Sequence, residues 1–287
     1  MIDVINYHIT STCNYHCQYC FVGFQERTPA KETAFKVVEK IHKFFIKSGI
    51  TGGRINIAGG EPLLYPYLTD VINQANTLGL KVSVITNGSL LTEELISNWH
   101  GKVEMLGISI DAVTDETNCA IGREYKGKSL SIAQLCDIAY WIHKHGIKLK
   151  INTVVSKLNV HDNLLPLYKK MKPNRLKFLC MHVLENINSE VNELKPTREQ
   201  FETFVAANRY EHAEEFVAEA EGSMQNSYLM ISPSGNVFLN ENGEGKIFGN
   251  CLEQDLYEIC GMLPFDNEKY NLRYYMTGKG YEKSNTW

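Results

Sequence analysis

The stretch VINYHITSTCNYHCQYCF, residues 4 to 21, joins a β-branched run to three closely spaced cysteines. Cys13, Cys17 and Cys20 have the spacing C-x3-C-x2-C. Three thiolates on one short loop can ligate three irons of a cubane [4Fe-4S] cluster and leave the fourth iron open to another ligand. The stretch therefore predicts a strand that ends at a cluster-binding loop.

Two other interpretations of these cysteines stay open at this point. A structural zinc site needs four ligands, and His8 and His16 are the nearest candidates to complete it. A redox pair formed by Cys17 and Cys20 leaves Cys13 unexplained.

Composition restricts the class of protein. The 287 residues are 44% hydrophobic and 22% charged, with a net charge of -4, which indicates a globular chain and gives no reason to expect a nucleic-acid partner. The first residues lack the pattern of a signal peptide, and no apolar run approaches ~18 residues. We expect a cytoplasmic protein with no membrane partner, in which the scattered cysteines are simply buried: Cys119, Cys136, Cys180, Cys251 and Cys260.

Short β-branched runs alternate with amphipathic stretches, which is typical of an α/β protein with parallel strands. The predicted strands are 4–10, 54–58, 81–86, 104–110, 148–155 and 175–181. The predicted helices are 31–49, 65–78, 92–99, 129–145 and 161–171. After residue 182 the pattern changes to acidic, helix-prone sequence at 197–220 and a hairpin at 227–240. We therefore expect a core at 1–182 and a C-terminal extension at 183–287 that helps to close the site.

Three short motifs follow predicted strands: AGGEP (58–62), TNG (86–88) and SID (109–111). Ligands of parallel α/β folds gather at the carboxyl ends of strands. Ordinary turn and helix-cap chemistry is the alternative explanation for each motif.

The cysteine spacing, the aromatic residue after it, and GGEP at the end of strand two together resemble the radical S-adenosylmethionine (SAM) enzymes. The resemblance implies a partial (β/α)6 TIM-like barrel with a C-terminal extension, a [4Fe-4S] cluster on Cys13, Cys17 and Cys20, and SAM bound at the open iron. It also implies these SAM-binding residues: Phe21, Gly59, Gly60, Glu61, Asn87, Ser109, Asp111 and Asn152.

Alternation along the strands divides each one into a polar and an apolar face. Apolar residues such as Ile5, Ile55 and Leu176 should meet the helices, so the polar faces should line the barrel lumen. Buried cations are costly without an anion, and the lumen faces carry several of them: Arg54, Lys150, Arg175 and Lys177, with Arg123 from the loop IGR. We infer a polyanionic co-substrate such as a nucleoside triphosphate, although pairing with acids or exposure at a strand edge would also satisfy these cations.

Most of the chain resembles the viperin family, since NYHIT, RINIAGGEPL, VITNGSL, ISID with IGR, KINTVV, NRLKF, SYLMI and VFLN occur in that order. The resemblance implies dehydration of a ribonucleoside triphosphate, CTP first and UTP or GTP as alternatives, to an antiviral 3'-deoxy-3',4'-didehydro chain terminator. It also implies a flavodoxin- or ferredoxin-like electron donor and these substrate-binding residues: Asn6, Arg54, Asn56, Arg123, Lys150, Arg175 and Lys177.

The chain departs from the family where a tyrosine that contacts the substrate is expected, because Gly235, Asn236 and Val237 stand there. The proton donor is therefore unassigned, and so is the role of the tail that ends in Trp287. The candidate donors are Tyr228, Tyr274, Tyr275 and Tyr281. Two other functions stay open: another radical SAM reaction on a phosphorylated substrate, and a zinc-containing nucleotide-binding regulator without catalysis.

Overall fold

The computed structural model describes residues 1–22 and 26–274. Its strands in that part of the chain are β1 (Val4–Thr10), β2 (Arg54–Gly59), β3 (Lys81–Thr86), β4 (Met105–Ser109), β5 (Lys148–Val155), β6 (Arg175–Cys180), β7 (Glu215–Glu219), β8 (Met230–Ile231), β9 (Asn236–Glu241) and β10 (Glu244–Asn250). The helices are α1 (Lys31–Lys47), α2 (Leu68–Thr77), α3 (Glu93–Asn98), α4 (Asp115–Ile121), α5 (Ile132–Lys144), α6 (Leu165–Met171), α7 (Arg198–Asn208), α8 (Leu256–Gly261) and α9 (Asn267–Tyr274).

Strands β1 to β7 lie side by side in chain order, and every neighbouring pair is parallel. This arrangement confirms the prediction of an α/β chain with parallel strands. One face of the sheet is apolar and fully buried, as Ile5, Ile55 and Leu176 illustrate. The register pairs Asn6 with Asn56, so these two polar residues share the opposite face. The polar faces therefore line the lumen of the partial barrel.

The helix prediction for 197–220 is wrong in its second half. Thr197 begins α7 with a capping box, but residues 215–219 form β7, parallel to β6. Glu215, Val217 and Glu219 alternate with Phe216 and Ala218, and pairing with β6 outweighs the helix propensity of glutamate and alanine. The extra strand brings two carboxylates to the lumen face beside β6.

The predicted hairpin is confirmed, since β8 pairs with β1 in parallel and with β9 in antiparallel fashion. Gly235 makes the turn with a φ of +90°, and a β-carbon there would lie 2.9 Å from Leu252 Cγ. The sheet thus contains strands from both predicted parts of the chain, and the division at residue 182 stays a prediction.

Helix α9 returns the chain to the start of β1. The hydroxyl of Tyr270 accepts hydrogen bonds from the backbone N–H groups of Asp3 (3.0 Å) and Val4 (2.9 Å). Tyr275, Tyr281 and Trp287 lie outside the described residues, as does the side chain of Tyr274. Among the described helices, none has both the length and the apolar character required to cross a bilayer.

Candidate active site

The cysteine loop follows β1 and is fixed against the end of α4. His16 N donates to Gly122 O (3.0 Å), and Gln18 N donates to Ile121 O (2.9 Å). Gly122 has a φ of +81°, and a β-carbon there would lie 2.2 Å from His16 O. The glycine of the IGR motif therefore allows this close approach of loop and helix.

All three loop cysteines are free thiols. Burial raises the pKa of Cys17 to about 11; Arg123 opposes that rise, and Cys20 and Cys13 add to it. In the described part of the chain, no three His, Cys, Asp or Glu side chains converge on a point that could hold one metal ion. A cubane cluster spreads its thiolate ligands over separate irons, so three cysteines on one short loop can bind it and leave the fourth iron open.

The two glycines of AGGEP pack directly on the start of the cysteine loop. A β-carbon on Gly59 would lie 2.3 Å from Thr10 O, and one on Gly60 would lie 2.3 Å from Thr12 O. Gly60 N donates to Thr10 O (2.7 Å), and Glu61 N donates to Thr12 O (2.8 Å). The glycines therefore set the position of the loop that carries Cys13.

The fully buried carboxylate of Glu61 joins this motif to the end of β3. Its Oε1 accepts from Leu63 N (3.0 Å) and Thr86 Oγ1 (2.7 Å), and its Oε2 accepts from Asn87 N (2.7 Å). Burial raises the pKa of Glu61, and these hydrogen bonds oppose the rise. A carboxylate offers about four lone-pair positions, so one remains to accept from an ammonium group.

Asp111 and Arg123 form a buried ion pair below the loop. The fully buried carboxylate of Asp111 also accepts from Tyr19 OH (2.5 Å) and Val154 N (2.7 Å). Arg123 is close enough to the three loop thiols to oppose the rise that burial causes in the pKa of Cys13, Cys17 and Cys20, and its expected contact with substrate stays a prediction.

The other predicted SAM ligands divide between two clefts. Asn87 and Ser109 line a small cleft with Arg123. Asn152 lies beside Ser109 in the β4–β5 register, and Phe21 lines a second, larger cleft.

Towards the amino ends of the strands, Asn6, Asn56 and Arg54 already form hydrogen bonds or ion pairs within the protein. Asn56 Nδ2 donates to Asn6 Oδ1 (2.7 Å). Arg54, the first residue of β2, donates to Ser83 Oγ (2.8 Å) and pairs with Glu104 (3.0 Å). The charge of Arg54 therefore has a counter-ion, which the sequence reasoning left open as an alternative.

A cluster of cations, Lys150, Arg175, Lys177 and Arg273, lies on the lumen side of β5, β6 and α9. Lys177 Nζ pairs with Glu219 at 2.6 Å, and Arg273 Nε pairs with the same carboxylate at 2.5 Å. Tyr228 OH donates to Glu219 (2.7 Å) and accepts from Lys177. Arg175 pairs with Glu215 at 2.9 Å. We call these four cations with Glu215 and Glu219 the lumen cluster.

Lys150 is the member of the lumen cluster that has no hydrogen bond or ion pair with any described residue. Burial lowers its pKa well below the usual range, and the neighbouring Lys177 and Arg175 lower it further. Burial likewise lowers the pKa of Lys177 to about 8, although Glu219 opposes this. The lumen cluster therefore contains more basic side chains than its two carboxylates can pair with.

Sequence reasoning missed Glu219 and Arg273, and treated Tyr228 only as a candidate proton donor. The alternation in EFVAE was the available signal for Glu219. No sequence signal pointed to Arg273, because a single buried arginine in a polar helix cannot be distinguished by sequence from a solvent-exposed arginine.

The chain matches the family model of the radical SAM superfamily over residues 7–165. It is 33% identical to the S-adenosylmethionine-dependent nucleotide dehydratase of Pseudoalteromonas ulvae, covering 94% of this chain and 92% of that protein. A protein with the same description from Lacinutrix mariniflava is also 33% identical over 94% of this chain, which spans 57% of that relative.

Among solved structures, Streptococcus suis SuiB bound to S-adenosylmethionine superposes with a TM-score of 0.64 at 17% identity, covering 95% of this chain and 68% of SuiB. This likeness confirms the predicted partial-barrel fold, and the family uses a [4Fe-4S] cluster with SAM. The chain belongs to the radical SAM superfamily, in its viperin-like group of S-adenosylmethionine-dependent nucleotide dehydratases.

Proposed function

We propose that the chain removes water from a ribonucleoside triphosphate, CTP first, to form the 3'-deoxy-3',4'-didehydro nucleotide. The observation that carries the proposal is the lumen cluster, where four cations face two carboxylates beneath a cysteine loop. Arginine and lysine are the usual partners of phosphate oxygens. A triphosphate would supply the negative charge that the cluster lacks.

Cys13, Cys17 and Cys20 would hold the cluster, which with SAM would supply the radical chemistry that removes the ribose C4' hydrogen. Loss of the 3' hydroxyl as water would then require one electron and one proton. The protein's own residues would contribute by positioning the nucleotide. Lys150, Lys177 and Arg175 would hold the phosphates deep in the lumen, so that the ribose lies between them and the cysteine loop. Positioning of this kind contributes roughly 7 to 11 kcal/mol in the best-oriented cases.

The remaining roles follow from the same arrangement. Glu61 would accept from the SAM ammonium, while Asn87 and Ser109 would line the cofactor's cleft. Asn6 and Asn56 would contact substrate or SAM from the lumen face. A flavodoxin- or ferredoxin-like protein would supply the electron, and the buried Tyr228 hydroxyl is the described candidate for a proton donor.

Mass spectrometry of anaerobic reactions tests the proposal. Reconstituted protein receives SAM, dithionite and one of CTP, UTP, GTP or ATP, and one nucleotide should yield a product lighter by one water molecule. If SAM is cleaved but every nucleotide stays intact, the chain is another kind of radical SAM enzyme. Protein that contains zinc and no sulfide would instead support a non-catalytic regulator.

Cys17→Ala should abolish 5'-deoxyadenosine formation, because it removes one of the three thiolates. Cys136→Ala is the matched control, since Cys136 is a half-buried free thiol on α5, away from the loop. Normal SAM cleavage by the Cys17 variant would refute the cluster assignment.

A further inference from the structure

The larger cleft beside the cysteine loop has a volume of about 200 Å³. Apolar side chains form much of its wall, among them Phe21, Met230 and Phe238. His182, which follows β6, and Asn240, on β9, supply polar groups at the same wall. Phe21, which the family resemblance assigns to SAM, lines this cleft, but none of the residues predicted to bind substrate does, so no part of the substrate is yet assigned to it.

Asn240 carries an unsatisfied acceptor at this wall. The residue is 3% exposed, and its Nδ2 contacts His182 Nε2. Its Oδ1 is buried without a hydrogen-bond partner among the described residues. Leaving such a group unpaired destabilises the free protein, so a donor supplied by a ligand would remove that penalty.

The contact with His182 engages the nitrogen end of the Asn240 amide and leaves the oxygen end without a partner among the described residues. Burial lowers the pKa of His182, which favours its neutral imidazole. With the proton on Nδ1, Nε2 accepts from Asn240 Nδ2, and the amide oxygen remains as an acceptor. The Asn240–His182 pair therefore presents a hydrogen-bond acceptor, Asn240 Oδ1, to the cleft. A ligand that binds there needs an N–H group to donate to it.

The Glu26 carboxylate, which also lines the cleft, is already engaged. It accepts from Ser232 Oγ (2.9 Å), Ser234 N (2.8 Å) and Asn236 Nδ2 (3.1 Å). Glu26 therefore serves the hairpin turn, whereas Asn240 Oδ1 is a buried acceptor left for a ligand.

A shared wall joins the cleft to the lumen cluster. Met230 and Phe238 form one apolar group with Tyr228, whose ring lies 4.9 Å from Lys177 Nζ and 3.6 Å from Arg273 Cζ. The rise of β6 carries the chain about 10 Å from Lys177 to Cys180, and His182 follows two residues later, which suits a nucleotide with its phosphates at the cations and its base in the cleft.

We propose that the cleft is the nucleobase site and that Asn240, oriented by His182, accepts a hydrogen bond from the amino group of cytosine. This inference rests on the proposed function. Uracil has nearly the same size but presents a carbonyl oxygen at that position, which would face the amide oxygen of Asn240. The pair therefore discriminates between two ligands that carry identical triphosphates.

Titration calorimetry with CTP and with UTP, on reconstituted protein without reductant, tests this directly. Wild-type protein should bind CTP more tightly, and Asn240→Ala should lower the ratio of the two affinities about tenfold, the value of one hydrogen bond near 1.4 kcal/mol. Asn186→Ala is the matched control, because Asn186 lies at the exposed rim of the same cleft and should leave the ratio unchanged.

Equal affinity of wild-type protein for CTP and UTP, or an unchanged ratio in Asn240→Ala, would overturn the inference. Thermal unfolding shows whether Asn240→Ala is folded. If it is not, Asn240→Asp is used in its place, because it keeps an acceptor oxygen and should retain the preference for CTP. Loss of that preference in Asn240→Asp would also overturn the inference. Turnover on the same samples separates the two proposals. A ratio that changes as expected without dehydrated product would sustain the base site and refute the proposed reaction.

Discussion

Replacing Glu219 by Gln removes the central negative charge of the lumen cluster with little change in volume. The carboxylate is 4% exposed and receives Lys177 at 2.6 Å, Arg273 at 2.5 Å and the Tyr228 hydroxyl at 2.7 Å. Glutamine keeps one acceptor oxygen but leaves both cations buried without a counter-ion. The substitution therefore tests whether this carboxylate substitutes for phosphate in the free protein.

The size of the effect follows from the pKa of Glu219. Burial raises that pKa, but Arg273 and Lys177 outweigh burial and hold it at about 2, against an ordinary value of 4.5. The difference corresponds to roughly 3 kcal/mol. Because the folded-state pKa is the lower one, this stabilisation is complete above pH 4.5 and is lost as the pH falls through about 2. At pH 7, Glu219→Gln should therefore cost about 3–5 kcal/mol, the usual cost of breaking a buried ion pair.

Anaerobic chemical unfolding at pH 7, with and without inorganic triphosphate, measures the effect. Triphosphate should stabilise Glu219→Gln more than wild-type protein, since it restores the missing negative charge. Glu214→Gln is the matched control, because Glu214 forms an exposed pair with Lys148 (3.0 Å) that contributes less than about 1 kcal/mol. Wild-type stability in Glu219→Gln, or an equal gain from triphosphate in both proteins, would refute the reasoning.

Three further predictions concern the cysteine loop, the Asp111–Arg123 ion pair and the lysines of the lumen cluster. Gly60→Ala should lower the iron and sulfide content after reconstitution, because the new β-carbon would lie 2.3 Å from Thr12 O and displace the cysteine loop. Asp111→Asn should lower the free energy of unfolding by about 3–5 kcal/mol, measured with denaturant, because Arg123 stays buried without its counter-ion. Nucleotide binding should take up protons, and its affinity should fall as the pH rises above about 8, because phosphates raise the lowered pKa values of Lys150 and Lys177; calorimetry in buffers of different ionisation enthalpy measures the uptake.

Each of these predictions has a control in the same chain. Gly261→Ala should leave the iron content normal, since no atom lies within 4 Å of its new β-carbon. Asp255→Asn breaks an exposed pair with Lys47 and should leave the unfolding midpoint unchanged. Lys148→Met removes an exposed lysine from the strand that carries Lys150 and should leave proton uptake intact. A variant that behaves like its control contradicts the corresponding prediction.

The features that sequence predicted correctly are local ones. Six parallel strands were recognisable because each is a β-branched run bounded by turn residues, and the hairpin because Gly235 ends a Pro-Ser-Gly turn. The binding of SAM by GGEP stays a prediction, and its observed packing on Thr10 and Thr12 depends on two segments that meet only in the folded chain. A contact between two distant segments produces no periodic pattern in the sequence of either segment, so sequence analysis cannot detect it.

The charge partners were the main feature that sequence could not predict. Lys177 and Arg175 were correctly expected in the lumen, yet their carboxylates come from β7, where a glutamate- and alanine-rich composition favours helix. Arg273 reaches the same carboxylate from the far end of the chain. Pairing with acids, which the sequence left as an alternative, is therefore correct for Arg175 and Lys177.

The ion pairs of Arg175 and Lys177 with acidic residues weaken the argument for a polyanionic ligand but do not remove it. Four cations share two carboxylates in the lumen cluster, and Lys150 has no partner among the described residues. Burial lowers the pKa of Lys150 well below its usual range, so this ammonium gives up its proton more readily than an exposed lysine does, which reduces the cost of the excess charge in the free protein. Phosphate oxygens close to Lys150 would oppose that shift and favour its charged form. A ligand of high negative charge would therefore gain an interaction with Lys150 that a neutral ligand of the same shape would not.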